Sequence, residues 1–339
     1  MGIGSGWKDQ SGIDAPDLKI LVIGCGGGGC NSITRLNRIG LESAMTIAIN
    51  TDQRSLKDTR CENRVLIGAN FTHGLGAGGL PEVGEQCARN CANLFCEMFN
   101  DVDLTFIITG MGGGTGTGAS PVIAEYAQKA GSIVISIATM PFKIESGTRR
   151  RNAMIGLNRL NEYSNTVLVL DNNRLLQMVD NLPMNQALGV MDALVSELIK
   201  GLVDALTKPS LINLDFADLR TIIKHGGIST LLYAENADPE GVVRDAVENP
   251  LLDVDIKGGT GALIHISGGS NLTLRRVHRI VEGLTEQLDV DANVKFGVRT
   301  VEDDNETIRL IALVTGISEL PPAAGPIDDI NVVIGKYRR

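Results

Sequence analysis

Aromatic residues, cysteines and long apolar runs are all scarce in this sequence. Only 4% of the 339 residues are aromatic, and six are cysteine. Six irregularly spaced cysteines are too few for the disulfide framework of a small secreted module, and they lack the CxxC spacing of zinc sites. No apolar run approaches the ~18 residues of a membrane span. We therefore expect a soluble protein of the reducing cytoplasm that does not insert into membranes.

Positive charge is also in deficit, with 31 Lys and Arg residues against 40 Asp and Glu and a net charge of −9. Such a chain lacks the broad basic face that a phosphate backbone requires, so we expect no nucleic-acid partner. Its length and its 43% hydrophobic content are enough for a folded core, in two domains or one large one.

Glycine, in contrast, is abundant: 40 residues, about 12% of the chain, where ~7% is usual. The glycines cluster where short apolar strands end, and helical patterns intervene between the strands. Such alternation predicts an α/β domain with a parallel sheet covered by helices on both faces. The predicted strands are 18–23, 45–50, 65–67, 104–109, 133–139 and 166–170, and the predicted helices include 81–99 and 121–130.

A helical pattern then runs without a break over residues 185–207 and stops before Pro209, a length of ~33 Å. Strand-like and helical segments after it predict a second, smaller α/β domain. The predicted organisation is a flexible leader at 1–17, a glycine-rich domain at 18–184, the connecting helix at 185–207, a second domain at 208–317, and a linker and tail at 318–339.

The first glycine cluster matches a dinucleotide-binding pattern. Gly24, Gly26 and Gly29 fit GxGxxG, and Asp52 follows the next strand, where an acidic residue would bind a ribose. Taken alone, this pattern favours a nicotinamide-dependent oxidoreductase. The chain has no evident His, Lys or Tyr constellation for that chemistry.

Two further glycine segments, at 74–79 and 112–118, favour a longer polyphosphate, because a dinucleotide has one pyrophosphate and needs one such loop. No GxxxxGK[ST] motif is present and no lysine lies in the three segments. Backbone amides, helix dipoles and Mg²⁺ would then balance the phosphate charge. The alternative is that glycines only permit close packing; for residues 112–118 we expect otherwise, because seven residues without a large side chain cost backbone entropy.

Several motifs together resemble the FtsZ family, the prokaryotic relatives of tubulin. They cover residues 18–317 in the family's order: GCGGGGCNS at 24–32, NTD at 50–52, THGLGAG at 72–78, GGGTGTG at 112–118, MPF at 140–142 and NLDFAD at 213–218. The resemblance implies the tubulin/FtsZ fold. It also implies a GTPase that assembles head-to-tail into filaments and organises the division ring, at mid-cell in the cytoplasm.

The resemblance implies a set of residues that contact GTP or GDP. Glu145 would bind the ribose hydroxyls and Arg149 the nucleotide. At a spacing of four the two would share a helix face, and the alternative is that they form a surface ion pair. The full predicted set is Gly26, Gly27, Gly28, Asn31, Asp52, Ala77, Gly78, Gly79, Gly112, Gly113, Gly114, Thr115, Gly116, Thr117, Glu145, Arg149, Asn172, Leu188 and Asp192. No metal ligand is assigned.

Asp192 occupies the position where the family holds an Asn or Asp for guanine. A carboxylate accepts from N1–H and the exocyclic amine of guanine together, whereas adenine would leave it unpaired. The alternative is a helix residue that faces solvent. Leu188 departs from the family, which often stacks an aromatic ring on the purine at this position.

Asn213, Asp215 and Asp218 are the predicted catalytic residues, with the two carboxylates orienting the attacking water. About 15 helical residues separate Asp192 from the end of the connecting helix, a distance of ~20 Å or more. The acids of one subunit would then serve the nucleotide of another, in a head-to-tail contact. Asp215 could also cap the helix that follows it.

Two expectations remain open. Residues 327–339, apolar and then basic, are interpreted as a docking peptide for a membrane-tethering adaptor or as an added edge strand. Besides an assembly-coupled GTPase, the sequence fits a paralogue that binds GTP and polymerises with weak turnover.

Overall fold

The computed structural model describes residues 18–175, 182–224, 228–249, 255–301 and 306–317. The predicted leader and tail lie outside these residues. Among the helices that are described, none combines the length and apolar character needed to cross a bilayer.

The first sheet has six parallel strands in the order β3-β2-β1-β4-β5-β6. Helices cover both faces, so the central strands are buried almost completely and are correspondingly apolar. The strands are β1 Ile20–Cys25, β2 Met45–Asn50, β3 Asn63–Leu66, β4 Leu104–Gly110, β5 Ile133–Met140 and β6 Thr166–Asp171. The helices are α1 Gly26–Ile39, α2 Gln53–Asp58, α3 Ala69–Thr72, α4 Pro81–Arg89, α5 Ala92–Met98, α6 Gly114–Lys129 and α7 Gly147–Tyr163.

The strand order reverses between β1 and β4, which are adjacent in the sheet. The two glycine segments that follow these strands therefore lie side by side at the carboxyl edge. In open α/β sheets this reversal point is where ligands bind.

The connecting helix, α8 (Met184–Thr207), has 24 residues and is about 36 Å long. Val195, Leu198 and Leu202 are buried in one apolar cluster that includes residues of both sheets. Lys200 of the same helix donates from Nζ to the carbonyl oxygens of Ile39 and Gly40, at 3.2 and 2.6 Å, at the carboxyl end of α1.

The second sheet has four strands in the order β7-β10-β8-β9, with β10 antiparallel to both neighbours and β8 parallel to β9. These strands are β7 Ile228–Asn236, β8 Gly261–Gly268, β9 Asn293–Thr300 and β10 Ile308–Ile317. The accompanying helices are α9 Phe216–Lys224, α10 Pro239–Val247 and α11 Leu274–Thr285. The predicted fold class, a parallel-sheet domain joined by a long helix to a smaller α/β domain, is confirmed.

Two helix predictions were wrong in their bounds. The segment 81–99 forms two helices, α4 and α5, which are separated at Asn90 and Cys91. The helix expected from Pro121 begins at Gly114 instead, so Pro121 lies inside it. Glycine has a low helix propensity, which is why the glycine run concealed this helix start.

Candidate functional site

The first glycine segment forms the amino end of α1. Gly26 has φ of +72°, and a Cβ there would lie 2.8 Å from the backbone nitrogen of Gly116, so this position requires glycine. A Cβ on Gly27 would meet nothing within 4 Å. The segment therefore packs against the second glycine segment on one side and leaves the helix amino end open for an anion on the other.

The second glycine segment has two different parts. Gly112 and Gly113 form the turn after β4, and the N–H of Gly112 donates to Oγ1 of Thr117 at 2.8 Å. A Cβ on Gly113 would meet nothing within 4 Å. The turn therefore presents open backbone at the same edge as Gly27.

The other part of the segment lies within α6 and serves packing. A Cβ on Gly116 would lie 2.4 Å from the carbonyl oxygen of Gly110, and one on Gly118 would lie 1.9 Å from that of Pro81. One on Gly114 would lie 2.7 Å from the Cβ of Ala77. Our expectation against a packing role was wrong for these three glycines, because α6 approaches β4, α4 and the segment at 77–80 too closely for any side chain.

The third glycine segment folds over the start of α6. Gly76, Gly78 and Gly79 all have positive φ, and a Cβ on either of the last two would meet nothing within 4 Å. Nδ2 of Asn152 on α7 donates to the carbonyl oxygen of Gly79 at 3.4 Å. The three glycine segments predicted to meet are therefore brought together.

Three polar residues predicted to contact the nucleotide make internal hydrogen bonds. Asp52 caps α2, and its Oδ1 accepts from the N–H groups of Arg54 and Ser55 at 2.8 and 3.0 Å. The hydroxyl groups of Thr115 and Thr51 lie 2.6 Å apart, and that of Thr117 holds Gly112 as described. These side chains therefore shape the segments that contain them.

Glu145 and Arg149 form an ion pair, with Oε2 and Nε 2.8 Å apart. Glu145 precedes α7, so the two residues do not share a helix face, and that part of the prediction was wrong. Its Oε1 accepts from the N–H of Phe142 at 2.9 Å, which fixes the carboxylate at the end of β5. The Arg149 side chain packs beside Gly112 and is therefore next to the turn after β4.

Asp192 of α8 meets the amino half of α1. Ser32 donates from Oγ to Oδ1 of Asp192 at 2.6 Å. Burial raises the pKa of the Asp192 carboxyl, while this hydrogen bond and the charge of Arg35 oppose the shift. Leu188, one turn earlier on α8, is exposed, as is Asn31 beside Ser32. A fixed carboxylate in this half-buried position suits a hydrogen-bonding edge of a base.

Asn172 lies in a 3-10 turn, Asn172–Arg174, that follows β6. It is half-buried and lies at the carboxyl edge of the sheet, where the turns after β1, β4 and β5 also lie.

The acidic segment lies beyond the opposite end of α8. Asp218 donates its N–H to Oδ1 of Asp215 at 2.7 Å, and Asp215 donates its N–H to Oδ2 of Asp218 at 3.3 Å. Asp215 therefore caps α9, as the alternative interpretation held. Oδ1 of Asn213 accepts from the N–H of Ser210 at 2.8 Å, and both Asn213 and Asp215 are exposed.

The structure separates these acids from the pocket. Fifteen residues of continuous helix lead from Asp192 to Thr207, about 22 Å, and the acidic segment follows. The glycine segments, Glu145, Arg149 and Asp192 thus form one site, and Asn213, Asp215 and Asp218 form another surface.

Sequence reasoning missed four residues that support these two regions: Ser32, Thr51, Asn152 and Lys295. Ser32 ends the GCNS motif and Thr51 lies within NTD, so motif membership could have indicated these two. Asn152 and Lys295 carry no local signal, because their partners are 73 and 77 residues away in sequence.

The cysteines give no indication of chemistry. Burial raises the pKa of Cys25 and brings that of Cys30 to about 11, so both stay protonated thiols. No group of three or more His, Cys, Asp or Glu side chains that could hold a metal ion occurs within the described parts of the chain.

A doubly wound sheet that gathers three lysine-free glycine segments, and a long helix that leads to a second domain, together define a nucleotide-binding protein of the tubulin-like class. Residues 19–180 match the profile "Tubulin/FtsZ family, GTPase domain", and residues 232–318 match "FtsZ family, C-terminal domain".

Full-length comparisons agree with these matches. The chain is 44% identical to cell division protein FtsZ 2 of Halobacterium salinarum over 304 residues, which cover 89% of this chain and 77% of that protein. It is 44% identical to FtsZ 2 of Methanocaldococcus jannaschii over 316 residues, 91% and 82% of the two chains. A solved structure, "FtsZ dimer, empty (M. jannaschii)", superposes with a TM-score of 0.82 at 41% identity and covers 88% of each chain. The chain belongs to the FtsZ family and is a GTPase of the cell-division type.

Proposed function

We propose that the chain hydrolyses GTP to GDP and phosphate within filaments of its own copies, at sites that two subunits build together. One subunit contributes the glycine pocket, and the next contributes Asn213, Asp215 and Asp218. The observation that carries this proposal is the length of α8 between Asp192 and the acidic segment. Because no acid can cross that distance, a pocket is completed only by another subunit.

The pocket residues take complementary roles in this proposal. The open backbone at Gly27, Gly113 and residues 78–79, together with the amino ends of α1 and α6, binds the phosphates. Glu145 contacts the ribose and Arg149 the nucleotide. Asn172, Leu188 and Asp192 contact guanine.

Asp215 and Asp218 orient the attacking water of the neighbour's nucleotide. Mg²⁺ would accompany the phosphates and neutralise their charge. Because the glycine segments contain no lysine, this role for Mg²⁺ fits the site, with the ion held mainly through phosphate oxygens and water.

A contact between the pocket of one copy and the acidic segment of the next is heterologous, and repeating it produces an open filament. We place these filaments at the division site in the cytoplasm. Residues 327–339 would dock a membrane-tethering adaptor. For a chain truncated after Pro322, we expect GTP turnover to persist in solution and membrane recruitment in cells to be lost; unchanged recruitment would contradict the docking role.

Two variants with opposite defects test the shared site. Asp215→Ala keeps its pocket and loses its acid. Gly113→Arg fills the phosphate site but keeps its acidic segment, and its backbone tolerates a side chain because φ is −83° and a Cβ meets nothing within 4 Å. Neither variant alone should turn over GTP. In a mixture of the two variants, the pocket of an Asp215→Ala subunit can meet the acidic segment of a Gly113→Arg subunit. That contact has an intact pocket and an intact acid, so phosphate release should return.

Dilution provides the second measurement. Turnover per subunit should fall steeply below the concentration at which the wild-type protein assembles. A constant rate per subunit there, or no recovery in the mixture of two folded variants, would place the catalytic groups within one chain.

A further inference from the structure

Lys295 contacts one of the proposed catalytic acids from a different part of the chain. It lies on β9, the edge strand of the second sheet, and its Nζ is 3.2 Å from Oδ1 of Asp218. The two side chains are 44% and 22% exposed, so the pair sits at the surface that carries the acidic segment.

This contact completes the restraint of Asp218. Its Oδ1 faces the Lys295 ammonium, and its Oδ2 accepts the N–H of Asp215. Asp215, in contrast, accepts one hydrogen bond at Oδ1, and its Oδ2 has no partner among the described residues. Both oxygens of Asp218 are therefore held, and Asp215 has one oxygen free for a water molecule.

The same strand also holds the backbone of the segment. The carbonyl oxygen of Val298 accepts from the N–H groups of Leu211 and Ile212 at 2.8 and 3.2 Å. Arg299 lies 3.6 Å from Asp204, near the end of α8. Strand β9 thus contacts the stretch from α8 to α9 at three places among the described residues, and of these Lys295 is the one that reaches a proposed catalytic acid.

We propose that Lys295 is a positioning residue of the GTPase site: it holds Asp218, and through it Asp215, in the orientation presented to the nucleotide of the next subunit. This inference rests on the shared site proposed above. Lys295 acts through the two carboxylates and does not itself contact the nucleotide.

The pair is better suited to orientation than to fold stability. Ion pairs as exposed as this one contribute little to folding, because water and salt screen them. Turnover depends far more steeply on geometry, since small displacements of a reacting group cost up to ~100-fold in rate. Removal of the ammonium should therefore change catalysis and leave unfolding unaffected.

Lys295→Met tests this role. We expect kcat for GTP to fall roughly tenfold, with KM, GTP affinity, filament formation and the thermal unfolding temperature unchanged. Lys295→Arg restores a cation within reach of Asp218 and should recover most of the rate. Lys257→Met removes an exposed lysine of the same domain and serves as the matched control. A wild-type kcat for Lys295→Met, or an arginine variant as slow as the methionine variant, would overturn the proposal.

A mixture shows which side of the contact Lys295 serves. In a mixture with Gly113→Arg, the intact pocket of a Lys295→Met subunit can meet the acidic segment of a Gly113→Arg subunit, which keeps its Lys295. Turnover per Lys295→Met subunit should therefore rise towards the wild-type value. No rise would refute positioning in trans, provided that Asp215→Ala still recovers with the same partner. Failure of that second mixture would refute the shared site itself, so the two inferences can fail separately.

Discussion

The two ends of α8 perform their roles with different parts of the chain. At the pocket end, the phosphate site that we propose consists of open backbone at Gly27 and Gly113, and packing between helices creates it. At the other end, the residues that we propose to be catalytic, such as Asn213 and Asp215, have exposed side chains. Fold and function are therefore coupled at the packed glycines of the pocket, such as Gly118, and nearly independent at the acidic segment.

The difference predicts opposite consequences for substitution. A change in the pocket that disturbs packing should cost both folding and GTP binding. A change at the acidic segment should cost turnover alone.

Asp215→Asn should lower kcat by about 100-fold or more, equivalent to ~2.7 kcal/mol, because it removes a charged group aimed at the reacting water. Asparagine caps helices as well as aspartate does, so α9 should keep its start. The thermal unfolding temperature and the GTP affinity of this variant should match those of the wild-type protein. A marked loss of stability would show that this end, too, couples fold to function.

Gly118→Ala should lower the free energy of unfolding by about 1–3 kcal/mol, since the added methyl group overlaps the carbonyl oxygen of Pro81 and forces α6 from α4. GTP affinity should fall with it. Gly113→Ala is the matched control, because its Cβ meets no atom within 4 Å, and it should unfold like the wild-type protein in urea. Equal stability of both variants would contradict the packing role of the motif.

Asp192→Asn should weaken GTP binding by about 1–3 kcal/mol, because an amide accepts at one atom where guanine offers two donors. ITP lacks the exocyclic amine, so its binding affinity should fall less than that of GTP in this variant. Burial raises the pKa of Asp192, so GTP affinity should begin to fall, on acidification, above the pH at which an ordinary aspartate protonates. Calorimetric titration of both nucleotides across pH tests this; equal losses would remove Asp192 from the base site.

Glu85→Gln should have the smallest effect, about 1 kcal/mol of stability. Glu85 of α4 accepts from both terminal nitrogens of Arg159, each at 2.6 Å, and chiefly for this reason its pKa falls to about 2. A folded-state pKa below the ordinary 4.5 means that the pair stabilises the fold above that pH and loses its contribution as pH falls towards 2.

Chemical unfolding at pH 7 and pH 3 measures this contribution, and the variant should differ less from the wild-type protein at pH 3. Lys19→Met removes the exposed ion pair with Asp101 and should leave the free energy of unfolding unchanged at both pH values. Equal differences at both pH values would mean that the pKa of Glu85 does not change on folding.

Much of the fold could be predicted from local sequence pattern. The bounds of β2 and, within one residue, of α8 follow from apolar periodicity and from Pro209. The starts of α1 and α6 could not, because glycine runs have low helix propensity and only the packing of the sheet makes them helical. Local pattern also gives no sign of the break between α4 and α5.

The candidate site divides in the same way. Glycine spacing indicated a polyphosphate pocket, and the length of α8 indicated that the acids lie elsewhere. The hydrogen bond between Ser32 and Asp192, and the pair between Lys295 and Asp218, join residues 160 and 77 positions apart. Such contacts depend on tertiary packing, which no local pattern records.

Helix α1 contacts α8 at two points: near its middle, where Ser32 donates to Asp192, and at its carboxyl end, where Lys200 donates to the carbonyl groups of Ile39 and Gly40. The shorter helix α1 is therefore held against the longer helix α8 by hydrogen bonds at two separate points. A rotation of α1 about one of these contacts would strain the other, so we expect a displacement of α1 to move α8 with it. Helix α1 of the proposed nucleotide pocket and helix α8, which leads to the acidic segment, should therefore move together as one rigid body.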